Sequence, residues 1–254
     1  MGRLQDKVAI VTGGGQGIGR AESLILAKEG ASIVVAQRTL AKAEGTAAEI
    51  VKMGGKAIAV ACDVQDQAQV DAMVKKAVDA FGKVNILVNN AAFFGGIGYK
   101  RWDAWTTDEW QRSYMTNVVG PWQCAKAVFP HMKAQKKGKI INTYSTTANM
   151  GFAGLIPYTT SKAAVHSLTK CLARALGRYN IGVNTVSPGY VLTDASLQMP
   201  GHSDEGDKKL IETRCFQRPS YAEDLQGPVL FLASDDSDFV TGQLLIADGG
   251  DTML

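Results

Sequence analysis

Paired cysteines are missing from this 254-residue chain: Cys62, Cys124, Cys171 and Cys215 are widely separated, with no CxxC spacing and no Cys/His cluster. That excludes a zinc cage and a disulfide framework, and reduced, buried thiols are the expectation. Long runs of like charge are missing too, and the formal net charge is only +3, so the electrostatic footprint of a nucleic-acid binder is absent. The most basic stretch, Lys133 to Lys139, reads as a solvated helix end. No apolar run approaches the roughly 20 residues that cross a bilayer, and the N-terminus lacks a signal-peptide pattern. A cytoplasmic protein with no membrane, nucleic-acid or metal partner is expected.

No Pro/Ser-rich linker, internal repeat or low-complexity segment divides the sequence, which predicts one domain over residues 1–254. Hydrophobic residues make up 46% and charged residues 20%, enough for a sizeable core. Short β-branched runs alternate with amphipathic stretches: Val8 to Val11, Gly17 to Glu29, Ile33 to Ala36, Leu40 to Met53, Ala57 to Ala61, Val70 to Phe81 and Val84 to Val88. The rhythm continues with Trp110 to Ala134, Lys139 to Thr143, Tyr158 to Tyr179, Val183 to Val186 and Leu225 to Ala233. Runs such as Val8-Ala9-Ile10-Val11 suit strands buried on both faces. The fold class is therefore α/β: a doubly wound Rossmann fold with a mostly or wholly parallel sheet of about seven strands.

Glycine is abundant, at 27 residues, and its densest cluster is Thr12-Gly13-Gly14-Gly15-Gln16-Gly17-Ile18-Gly19. This cluster follows the first strand and opens the first helix, where a tight turn lets the backbone approach a pyrophosphate at the helix N-terminus. Its spacing, TGxxxGxG, differs from GxGxxG, and Arg20 replaces the Lys-Ser/Thr of a triphosphatase loop. About 20 residues on, where a carboxylate would hold the ribose 2′-hydroxyl of NAD, stand Gln37 and Arg38. A 2′-phosphate is not repelled there and Arg38 can pair with it, so NADP(H) is preferred, with NAD(H) as the alternative. Gln16 stands where a second basic residue would be expected.

Tyr158 and Lys162 lie four apart on one helix face. A phenol near pKa 10 is a poor base at neutral pH, and a neighbouring ammonium favours its phenolate. With these residues the chain resembles the short-chain dehydrogenase/reductase family over its whole length. TGxxxGxG matches Thr12 to Gly19, an adenine-side Asp matches Asp63 before Val64, and the NNAG element matches Asn89-Asn90-Ala91-Ala92, with Ala92 where the family usually has Gly. The catalytic Asn matches Asn117, the Ser matches Ser145, and YxxxK matches Tyr158 and Lys162. The PG element matches Pro188-Gly189, followed by Val191 and Thr193, and a closing DGG matches Asp248-Gly249-Gly250.

The resemblance implies that Ser145 holds the substrate oxygen, Tyr158 exchanges the proton, and Lys162 tunes the tyrosine while binding the nicotinamide ribose. Asn117 would complete a relay through water. Gly13, Gln16, Gly17, Ile18, Gly19, Gln37, Arg38, Asp63, Val64, Asn90, Ala91, Ala92, Pro188, Gly189, Val191 and Thr193 would line the cofactor. It also implies a homotetramer, and a substrate lid over 193–218, a long polar segment containing His202. Thr143, Tyr144, Thr146 and Thr147 read as packing hydroxyls.

The aromatic, glycine-rich stretch Phe93 to Trp105 either lines a pocket or packs on neighbours. Phe94, Met150, Tyr190, Leu197 and Met199 are the candidate substrate contacts. The expected activity is hydride transfer between NADP(H) and a secondary alcohol or ketone, apolar and either cyclic or aromatic. The alternatives are a catalytically silent dinucleotide-binding sensor or scaffold, an NAD-dependent polyol or sugar dehydrogenase, and an epimerase or dehydratase.

Overall fold

The computed structural model describes residues 2–94, 97–200 and 203–253. Seven strands are described: β1 (Val8–Thr12), β2 (Ser32–Gln37), β3 (Lys56–Ala61), β4 (Ile86–Asn89), β5 (Gly138–Thr143), β6 (Ile181–Pro188) and β7 (Leu244–Ala247). They form one sheet in the order β3-β2-β1-β4-β5-β6-β7, and every pairing is parallel. β1, β4 and β5 are buried along their whole length, as strands covered on both faces must be.

Alternation along the strands divides the core into two layers. Ala9, Val11, Ile141 and Val186 pack with α1 (Gly17–Lys28), α2 (Leu40–Lys52) and α10 (Gln226–Ala233). Ile10, Leu87, Ile140 and Val183 pack with α3 (Gln67–Phe81), α5 (Gly120–Gln135) and α7 (Ile156–Leu176). The first crossover runs to β2 on one side of β1, while β4 pairs on the other. The strand order thus reverses between β1 and β4, which opens a crevice at the carboxyl ends of the strands.

The expected stretch Trp110 to Ala134 is three elements: α4 (Thr107–Tyr114), a π-helical turn Met115–Val119, and α5. Thr106 and Glu109 form a reciprocal capping box that starts α4. The polar segment 193–218 is not a plain loop, since it contains α8 (Asp194–Leu197) and α9 (Asp204–Glu212); the remaining short helix is α6 (Thr147–Met150). Thr193 and Ser203 cap α8 and α9, and such caps let short charged pieces hold a helical turn. Gly95, Gly96, Gly201 and His202 lie outside the described residues. Cys62 and Cys124 are buried, whereas Cys171 and Cys215 are exposed on helix and segment surfaces, contrary to the expectation of four buried thiols. Among the described residues no helix is long and apolar enough to cross a membrane.

Candidate active site

The glycine turn leaves β1 with Gly13 and Gly17 in left-handed backbone, φ 67° and 52°, a conformation nearly free of cost only for glycine. Gln16 at the N-cap of α1 makes no side-chain capping bond, so the N–H groups of the first turn and the positive end of the helix dipole stay available to an anion. The turn is tied to the end of β4. Thr12 Oγ1 accepts from the backbone N–H of Asn90 and Ala91 at 3.2 and 3.1 Å, and Asn90 Nδ2 donates to the Thr12 and Gly13 carbonyls at 3.1 and 3.3 Å. A Cβ on Gly19 would lie 2.4 Å from both Asn90 Nδ2 and the Gly13 carbonyl oxygen. Gly19 therefore stands behind the turn, not in the crevice, and its smallness serves packing.

A cavity of about 450 Å³ runs from this turn to the end of α7. Gly13, Gln16, Gly17, Ile18, Gln37, Arg38, Asp63, Val64, Asn90, Ala91 and Ala92 line one part of it; Ser145, Tyr158, Lys162, Pro188, Gly189, Val191 and Thr193 line the other. Sequence reading missed Lys42, whose Nζ donates to Gln16 Oε1. α2 packs its first turn on the glycines, a Cβ on Gly15 lying 2.8 Å from the Lys42 backbone. Lys42 thus brings a cation from α2 to Gln16 without lining the cavity, and only a three-dimensional contact reveals it.

At the other end, Tyr158 is buried and lines the cavity together with Ser145, whose Oγ shares a hydrogen bond with Thr147 Oγ1 at 2.9 Å. Lys162 Nζ donates to the Thr143 carbonyl at 2.7 Å and lies 5.7 Å from the Tyr158 ring centroid. Burial pushes the Tyr158 phenol up to about 12 against the lowering influence of Ser145, and pushes the Lys162 ammonium down to about 8. The expected depression of the phenol by Lys162 is not found in this structure: burial dominates, and the ammonium is turned to the Thr143 carbonyl. The phenol is protonated at neutral pH.

Asn117 lies in the π-helical turn and is 1% exposed, off the cavity. Its Nδ2 donates to Ser161 Oγ at 2.9 Å and Ser113 Oγ at 3.4 Å, and its Oδ1 accepts from Phe93 N–H at 2.7 Å. Both amide hydrogens are committed, so a relay through the side chain is not available. π-turns interrupt the regular carbonyl ladder and recur at functional sites.

Phe94, Met150 and Tyr190 line the cavity, and the Phe94 ring stands 5.1 Å from that of Tyr158. Met199 is 4% exposed and packs with Ile97, Leu155 and Tyr158, buttressing the wall without lining it. Leu197 is 46% exposed and off the cavity: Thr193 and Ser196 cap each other, which turns Ser196 inward and Leu197 outward. Of the aromatic stretch, Phe93, Phe94 and Tyr99 line the cavity, Trp105 packs beside it, and Trp102 is exposed. Thr143, Tyr144, Thr146 and Thr147 line it as well.

The segment 193–218 leaves and returns at one point. Leu192 donates its N–H to the Ser220 carbonyl at 2.9 Å, and the buried Arg214 donates Nη2 to the Tyr190 carbonyl at 2.6 Å. That is the geometry of a flap with closed ends.

Residues 13–252 match the family model described as Enoyl-(Acyl carrier protein) reductase. A (2S)-[(R)-hydroxy(phenyl)methyl]succinyl-CoA dehydrogenase subunit of Thauera aromatica is 35% identical over 247 residues, covering 97% of each chain. The 7alpha-hydroxysteroid dehydrogenase of Escherichia coli is 36% identical, over 98% of this chain and 95% of its own. Among solved structures, a gluconate 5-dehydrogenase from Burkholderia cenocepacia in complex with NADP and tartrate superposes with a TM-score of 0.91 at 34% identity, over 98% of this chain and 96% of that one.

Proposed function

The chain belongs to the short-chain dehydrogenase/reductase family of NAD(P)-dependent oxidoreductases, and from that premise we propose that it is an NADP(H)-preferring reductase of ketones with a cyclic or aromatic body. The observation that carries the reading is the buried Tyr158 phenol, set with Ser145 and the buried Lys162 on one cavity beneath the Phe94 ring. The residues fit a dinucleotide: Gln16 makes no side-chain cap on the first turn of α1, and Gln37 Oε1, on the cavity lining, is buried without a hydrogen-bond partner among the described residues. Gly13 to Ile18 would hold the pyrophosphate, Asp63 and Val64 the adenine side, and Asn90 to Ala92, Pro188, Gly189, Val191 and Thr193 the nicotinamide side. Once bound, a nicotinamide supplies or accepts the hydride.

The chain's own residues move the proton. Ser145 Oγ donates to the carbonyl oxygen and fixes it against Tyr158. The Tyr158 hydroxyl delivers its proton as charge develops on that oxygen. Lys162 then stabilises the phenolate left behind and would hold the nicotinamide ribose of a bound cofactor, while a relay past Asn117 would run along its backbone. The flap over 193–218 closes on the substrate and excludes water. The intact Ser145, Tyr158 and Lys162 set argues against a catalytically silent sensor. A polyol or sugar-acid substrate is the competing reading, favoured by the hydroxyls of Thr143, Thr146 and Thr147 on the cavity and by the gluconate dehydrogenase likeness.

Following loss of NADPH or NADH absorbance with cyclic ketones, aryl ketones and keto-acid sugars decides between them. Turnover of aryl or cyclic ketones with NADPH, at least about tenfold more efficient than with NADH, is expected. Reaction with keto-sugars alone, or a preference for NADH, would overturn the substrate or cofactor part.

Arg38 and Lys42 carry the cofactor preference. Arg38→Ala removes a charge-assisted contact to the 2′-phosphate and is expected to lower kcat/KM for NADPH about 30- to 100-fold, while NADH changes less than about threefold. Lys42→Ala should cost about fivefold, because its charge acts at longer reach. Equal losses with both cofactors would place Arg38 outside 2′-phosphate recognition.

A further inference from the structure

α1 buries one ionisable residue that neither the turn nor the proton transfer uses. Glu22 is 0% exposed, and neither carboxyl oxygen has a hydrogen-bond partner among the described residues. It follows Gly19 by three positions and precedes Leu26 by four, on the face that packs on the sheet. Burying a carboxyl without partners is costly, so the site needs an offsetting interaction.

Lys162 provides one, through an electrostatic interaction with Glu22 from the opposite layer. Glu22 sits on α1 and Lys162 on α7, on opposite faces of the sheet. Thr143 takes the Lys162 ammonium on its carbonyl at 2.7 Å. Its side chain shares the α1 face with Ile141, two residues back, and Thr143 Oγ1 is also buried without a partner.

The other charges around both groups are engaged or exposed. Near Glu22, Arg20 pairs with Glu49, Lys42 with Gln16 and Asp224 with Arg218, while Lys28, Glu44, Lys52 and Glu223 are exposed and β1, β2 and α10 carry no charge. Around α7, Glu109 pairs with Lys100 and Lys139 with Asp238, Asp108 and Arg112 are exposed, and β6 has no charge. On α7 itself, Lys170 and the last-turn Arg174 are exposed, and His166 meets the Tyr144 ring edge to face.

We propose that Glu22 is a positioning residue for the reaction, a buried counter-ion that keeps the Lys162 ammonium charged beside Tyr158. This rests on the reductase reading above. Burial holds the Glu22 carboxyl up to about 8 and Lys162 down to about 8, and each draws the other back toward its charged form. Losing the carboxylate lowers the pH at which Lys162 gives up its proton, and with it the support for the Tyr158 phenolate.

Glu22→Gln and Glu22→Leu test this. In both, the alkaline limb of the ketone-reduction profile is expected to fall by about one pH unit, with kcat/KM roughly tenfold lower at pH 9 and within about twofold at pH 6.5. Glu22→Leu should also melt higher than the wild type. A carboxyl raised in the folded state favours folding less as pH rises from about 4.5 to about 8, so that gain should be larger at pH 8 than at pH 5. A wild-type limb in both variants, or a shift in the Leu variant alone, would overturn the proposal, because shape and not charge would then matter. If no ketone is turned over, the reductase reading fails separately. Lys162 can then be titrated in ¹⁵N-lysine-labelled protein, and an ionisation unmoved by Glu22→Gln overturns the counter-ion role on its own.

Discussion

Replacing Tyr158 by Phe is expected to lower kcat for ketone reduction about 10³-fold, within the range attributed to a positioned general acid, while the cofactor dissociation constant changes less than about twofold. The substitution removes one oxygen. The ring keeps its packing against Phe94 at 5.1 Å and against Ile97, Leu155 and Met199, and Ser145 keeps its bond to Thr147 Oγ1 at 2.9 Å. The fold should therefore melt within about 2 °C of the wild type, which separates lost chemistry from lost structure. In the parent enzyme the phenol, held up to about 12, carries its proton throughout the neutral range. Reduction should then be flat from about pH 6 and decline as Lys162 gives up its proton near 8. Stopped-flow loss of NADPH absorbance across that range reads both effects; a variant within about tenfold of the parent rate would remove Tyr158 from the proton transfer.

That phenol was legible in the sequence by position but not by state. YxxxK spacing puts Tyr158 and Lys162 on one helix face whatever surrounds them, and the glycine turn after a β-branched run can hardly be anything but a strand-to-helix connection. Such features depend on local geometry, so composition and spacing reveal them. The ionisation state depends on what covers the pair, and the desolvation that dominates both residues comes from distant elements: β5 below, α4 beside, and the Phe94 loop above.

The same division runs through the rest of the site. Parallel strands with continuous apolar runs identified the sheet and its burial, whereas the order β3-β2-β1-β4-β5-β6-β7 is set by long-range pairings that no single residue announces. Lys42 reaches the turn only because α2 docks on Gly15. Leu197 faces outward because a two-residue cap decides the phase of a four-residue helix, too short for hydrophobic periodicity to register. Asn117 was placed in the proton relay by family resemblance alone, and its side-chain work, holding Phe93 and Ser161, depends on a π-turn with no sequence signature. Glu22 carried a readable signal, a carboxylate in the apolar row shared by Gly19 and Leu26, though only burial on all sides makes it consequential.

Gly19→Val should be the most damaging single change to the cofactor site. A Cβ there meets Asn90 Nδ2 and the Gly13 carbonyl oxygen, both at 2.4 Å. One contact is backbone and cannot swing aside, and the other is an amide already bonded to the Thr12 and Gly13 carbonyls. Relieving the clash breaks those bonds and pushes α1 away from β4, at about 3–4 kcal/mol for overpacking plus lost buried hydrogen bonds. For a domain of this size the melting temperature should fall by about 6–12 °C. Because the displaced turn is the one that presents the first N–H groups of α1, cofactor affinity should fall at least about 100-fold even at temperatures where the protein is folded. Gly45→Ala is the matched control: Gly45 lies in α2 with nothing within 4 Å of its added Cβ, so the change should stabilise by about 0.5–1 kcal/mol through helix propensity and leave binding unaltered. Calorimetric melting and NADPH titration by fluorescence read both variants. If Gly19→Val bound cofactor normally, the approach of turn to strand would not be what shapes the pyrophosphate site.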